Sequence, residues 1–265
     1  MILFLLKKNF CDGWDNMISL VVPNVVMTIL AVILWVLYGI LNAAGNMILG
    51  MAFTALIPAV FMIFVFAYGE NAVRIANFGS GPIRDFFANI VPHAKDGFLI
   101  GLIFGVFVIF ASVGIPYYMS IARGGNLLGI FFAACVFWFS FIALLALQWF
   151  IPVKLILKDN FKTALKKCFI IFFDNPGISL FLFFYHCVLA VLSFFLLGCA
   201  PGATGILLSL TNALRILLYK YDYLDAHPEL TGRARRKIPW SDLIAKDKET
   251  LGPRTLRSFI FPWRD

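Results

Sequence analysis

The chain has 265 residues, 62% of them hydrophobic and 14% charged, with a mean hydropathy of +0.91. Soluble domains average about 45–50% apolar and about 25% charged residues, so this composition excludes an ordinary water-soluble globule. The net charge of +8 would suit nucleic acid, but the basic residues flank apolar stretches; the expected partner is an anionic lipid headgroup surface, with no nucleic acid.

At the start of the chain, Met1 to Leu6 are apolar and Lys7 and Lys8 follow. A signal peptide has the reverse order, so no cleavage is expected and the first span acts as the insertion signal. Residues 16–69 contain no Asp, Glu, Lys or Arg. A charge at the bilayer centre costs about 2.5–3.5 kcal/mol on insertion scales, which is the reason for such a gap. A crossing needs about 20 residues. Candidate spans fall at 17–41, 45–68, 97–119, 127–152, 177–199 and 202–219. The links Asn42 to Asn46 and Ala200-Pro201-Gly202 are short enough to force antiparallel neighbours. The expected fold is an all-α, polytopic bundle of six transmembrane helices in three hairpins over 1–220, followed by a basic tail over 221–265.

Two links read as amphipathic interfacial helices. In 83–95, Ile83, Phe86, Phe87, Ile90 and Val91 form an apolar stripe, and a turn is expected at Asp96-Gly97. In 159–173, Phe161, Leu165, Cys168, Phe169 and Phe172 oppose Lys162, Lys166 and Lys167. Gly79-Ser80-Gly81-Pro82 lacks the strand, helix and Lys of a phosphate loop and reads as a turn. Glu70 and Arg74, four apart, are expected to pair locally.

The alternation of spans places every Lys and Arg except Arg123, and all 14 acidic residues, on one side. The positive-inside rule makes that side cytoplasmic, with both termini there and the protein in the plasma membrane. In the tail, Arg233, Arg235, Arg236 and Lys237 form a basic cluster, and Trp263 ends a mixed apolar and basic segment suited to a membrane or bundle surface. The five cysteines show no C-x-x-C spacing and read as packing residues.

Three segments carry a resemblance. These are Asp15-Asn16-Met17-Ile18-Ser19-Leu20-Val21-Val22-Pro23, Arg84-Asp85-Phe86-Phe87 with Lys95 downstream, and Asn160-Phe161-Lys162-Thr163-Ala164-Leu165-Lys166 through Asn175-Pro176. Over roughly residues 10–200 the chain resembles the YesL-like family of bacterial integral membrane proteins, a domain-of-unknown-function family. It departs from that pattern at Met27-Thr28-Ile29, where a small Thr-x-Gly step is expected, and in its longer tail. The resemblance implies an accessory role in carbohydrate uptake and identifies no reaction.

Polar residues inside spans are the candidate functional groups, because lipid drives them toward the bundle interior. Asn24, Thr28, Gln148, His186, Asn212 and Arg215 could line one polar path, or could simply hydrogen-bond helices together. His186 has no acid in any span beside it and is expected to be neutral. No metal-ligand or nucleophile pattern stands out, so neither catalysis nor a cofactor is expected. The leading reading is a non-catalytic accessory or scaffold protein that docks a transporter or other membrane protein through Lys162, Lys166, Lys167 and the tail. A small-solute transporter or channel comes second, and an enzyme acting on lipid third.

Overall fold

The computed structural model describes residues 1–43, 45, 47–232, 235 and 237–254. The described residues form α1 (Ile2–Asp15), α2 (Met17–Ala43), α3 (Met47–Ala76), α4 (Ile83–Ala88), α5 (Ile90–Arg123) and α6 (Leu128–Leu147). Then come α7 (Phe150–Leu157), α8 (Phe161–Asp174), α9 (Pro176–Phe195), α10 (Gly202–Ala226), α11 (Trp240–Leu243) and α12 (Ala245–Leu251). Six helical stretches are long and apolar enough to cross a membrane: α2, α3, α5, α6 continued by α7, α9 and α10. The chain is an all-α polytopic membrane protein.

The tightest pairing joins α3 to α5. Gly97, Gly101 and Gly105 recur every four residues and so share one face of α5. A Cβ on any of them would run into the α3 backbone at Ile63, Ala59 and Ala55 in turn. Small residues at this spacing let two helices approach until their backbones touch, the usual way to gain dispersion contacts where lipid supplies no hydrophobic drive. Gly97 is therefore a packing residue, and no turn forms at Asp96-Gly97. The surface helix expected over 83–95 is instead two pieces: α4 ends at Ala88, and residues from Ile90 onward belong to the long α5.

Other local expectations also change. Arg74 pairs with Asp85 of α4, and Glu70 faces the His93 ring at 3.5 Å, so the Glu70–Arg74 pair does not form. The Gly79–Pro82 turn is pinned by Ser19, which donates to the Gly81 carbonyl, and by Asn71, which donates to that of Pro82 at 3.0 Å. In α8, Ala164, Cys168, Ile171 and Phe172 are buried in the protein. Its apolar stripe thus packs on the bundle, and the helix presents Lys162, Lys166, Ile170 and Phe173 outward.

Candidate functional site

The first helix has no counterpart among the expected elements. Phe4, Leu5 and Cys11 of α1 are buried, and so are Lys8, Asn9 and Asp12. Lys8 and Asp12 lie four apart and therefore on one face, where the ammonium donates to the Asp12 carboxylate at 2.9 Å. The same Nζ sits 3.7 Å from the centroid of the Phe78 ring, a cation–π contact that covers its other side. From α10, Asn212 donates to Asn9 Oδ1 and to Asp12 Oδ2, both at 2.9 Å.

One turn further along α10, Arg215 reaches the tail. Its guanidinium forks onto the Asp247 carboxylate of α12 at 2.5 and 3.0 Å, and its Nε donates to Asn77 Oδ1 at 2.9 Å. Tyr219 adds a hydroxyl donor to Asp247 at 3.2 Å. Lys7 donates to the Gly252 carbonyl at 3.1 Å, and Arg254 pairs with Asp15. Ile244, Asp247 and Leu251 are buried by this contact, so part of the tail is built into the bundle.

The four inner charges, Lys8, Asp12, Arg215 and Asp247, balance. Burial pulls the Lys8 ammonium below its ordinary range, and Asp12 pulls it back only in part. Burial likewise raises the Asp12 carboxyl, against the opposing effect of Lys8. Low dielectric makes such a cluster strong when complete and costly when broken. Chemically it is a clamp that ties α1, α10, α12 and the end of α3 together.

The sequence-predicted residues are distributed among separate structural duties. Asn24 and Thr28 meet the α9–α10 turn. Asn24 donates to the carbonyls of Cys199 and Pro201 at 3.1 and 2.8 Å, and its Oδ1 accepts from the Thr204 N–H at 3.0 Å. Thr28 faces Gly198, whose missing side chain leaves room for it. Gln148 lies at the α6–α7 break and donates to the carbonyls of Leu145 and Ser179 at 2.9 and 3.0 Å. His186 Nε2 lies 2.6 Å from the Ser209 hydroxyl, which joins α9 to α10. Only Asn212 and Arg215 enter the clamp. Each of the six residues is thus engaged in a contact with another part of the protein.

Of the docking candidates, Lys162 and Lys166 are exposed, as are Arg235 and Lys237, while Lys167 pairs with Asp159 at 2.7 Å. Arg233, Arg236 and Trp263 lie outside the described residues. A second polar corner sits where α8 meets α9: Lys220 and Tyr221 donate to Asp174 at 2.6 and 2.9 Å. Burial alone would raise the Asp174 carboxyl, but these donors and the Lys220 charge hold it below its ordinary range.

A groove of about 460 Å³ opens beside the α9–α10 turn, and Asn24, Thr28, Ser193, Ala31, Trp35 and Phe61 are among the residues that line it. Sequence reasoning missed Lys8, Asn9, Asp12, Asn77, Phe78 and Asp247. The Lys8–Asp12 spacing was the one local signal for them, since their other partners lie far away along the chain. No protein-family model matches this sequence, and no curated protein or solved structure matches it either.

Proposed function

We propose that the protein is a non-catalytic scaffold or accessory component of the bacterial cytoplasmic membrane, serving a transport or envelope system. The observation that carries this reading is the use made of the intramembrane polar groups. Asn24, Gln148, His186 and Asn212 each join one helix to another, and the buried charges balance within a clamp where Asn9 Nδ2 and Asn212 Oδ1 are the polar atoms left without a partner among the described residues. A carrier needs polar groups that converge on a site and remain free for a solute. The docking face in this reading is the outward stripe of α8, basic at Lys162 and Lys166 and apolar at Ile170 and Phe173. The resemblance to the YesL-like family points to the same kind of role, beside carbohydrate uptake.

Crosslinking in native membranes followed by purification tests the proposal. A transporter subunit should be captured by the wild-type protein and lost from the Lys162→Glu, Lys166→Glu double variant. Purified protein in liposomes should give no saturable solute flux. Saturable flux reduced by His186→Ala would replace this reading with the transporter.

A further inference from the structure

We infer that α9 and α10 form a re-entrant hairpin whose turn lies inside the hydrocarbon layer, so that the chain makes four complete crossings and one partial entry from its basic side. Three independent observations carry this.

The first is depth. The turn seats against Asn24 and Thr28 of α2, and the Thr204 hydroxyl reaches the Leu20 carbonyl at 3.2 Å. At about 1.5 Å per residue, Thr28 lies about 17 Å from the start of α2, and about 22 Å of that helix continues beyond it. Past this level α2 turns apolar side chains to the surroundings: Val32, Ile33, Trp35 and Val36 are each more than half exposed. The turn therefore stops well short of the level reached by the α2–α3 connection.

The second is the surface of the turn. A connection in water is normally polar. Here the chain from Phe194 to Gly202 has no charged residue, and Phe194, Phe195, Leu196 and Leu197 are 80%, 75%, 54% and 80% exposed. Four consecutive large apolar side chains at a helix end suit lipid.

The third is the backbone. Non-helical chain in lipid must find partners for its own amides and carbonyls, since no water is there to serve them. The Gly198 N–H donates to the Ser193 carbonyl at 2.7 Å, and that of Cys199 to Leu196 at 2.9 Å. The Gly202 N–H donates to the Ser193 hydroxyl at 2.8 Å, and Gly205 to the Pro201 carbonyl at 2.9 Å. Asn24 serves two turn carbonyls and the Thr204 amide. Pro201 contributes no N–H at all. Asn24 thus takes the place that water holds in an exposed turn, and the groove beside it opens to lipid chains.

The native Cys199 in the turn provides the test. A membrane-impermeant maleimide is applied to intact and then to permeabilised cells, and labelling is read site by site by mass spectrometry. Asn126→Cys and Ser80→Cys mark the two ends of the bundle. The marker cysteines should react, each from its own side, while Cys199 stays unmodified in both conditions. A nitroxide placed on Cys199 after unfolding and reconstitution should collide more often with oxygen than with a water-soluble nickel chelate. Labelling of Cys199 from the Asn126 side at the rate of that marker would make α9 and α10 complete crossings and overturn the inference. Labelling from the Ser80 side would place the turn in water and overturn it equally. Asn24→Leu should sharply reduce the yield of folded protein, and an unchanged yield would mean that water already serves the turn.

Discussion

Lys8 and Asp12 face each other at 2.9 Å across one turn of the first helix, and the lysine side chain is wholly removed from solvent. Replacing one partner leaves the other charged and buried, a defect worth about 3–5 kcal/mol. Lys8→Met should therefore lower the thermal midpoint of the detergent-purified protein strongly. The double variant Lys8→Met, Asp12→Leu should recover most of the loss, because an apolar pair carries no desolvation penalty. A double variant no better than the single one would show that Asn212 and Phe78 depend on the charges themselves.

The α3–α5 contact gives a second expectation. Gly101→Leu would force the two backbones apart at Ala59, with an overpacking cost of about 1–3 kcal/mol. Gly39→Ala, in open space on α2, should leave stability unchanged or slightly improved. Parallel thermal melts of the two variants compare crowding with simple loss of glycine.

Acid should act through the α8–α9 corner. The folded-state pKa of Asp174 lies below its ordinary 3.8, so its contribution is complete above that value and disappears as pH falls through the lowered one. Thermal midpoints measured from about pH 6 to about pH 3 should fall less steeply for Asp174→Asn than for the wild type. Identical slopes would mean that Lys220 and Tyr221 find other acceptors.

Arg215→Gln should free the tail. Without the forked pair to Asp247, α11 and α12 lose their charged anchor on α10, and the segment over 227–232 becomes easier to cleave. Limited proteolysis should cut there several-fold faster, with the membrane-spanning helices left intact. An unchanged rate would assign the hold to Ile244 and Leu251.

The six long apolar helices were legible because charge exclusion is a local property that each stretch of sequence records for itself. Partnerships were not. Asp96-Gly97 has the composition of a turn, but its glycine serves a helix more than thirty positions earlier. Glu70 and Arg74 have the spacing of a pair, yet Asp85 and His93 compete for them from neighbouring helices. The stripe on α8 was visible as amphipathic, but periodicity alone does not say whether its apolar side meets lipid or protein. Asn24 and Asn212 are costly in a bilayer and so stand out, whereas Asp12 and Asp247 lie outside the apolar stretches, where a charge carries no such signal.

The clamp also orders events during synthesis. Helix α1 leaves the ribosome long before α10 and α12 exist, so Asp12 must wait for Asn212, and Arg215 for Asp247. Until the last of these arrives, the Lys8–Asp12 pair lacks the Asn212 amide and the Arg215 guanidinium lacks its carboxylate. The basic face of the bundle is therefore completed only by residues near position 247, which supply the carboxylate that Arg215 holds.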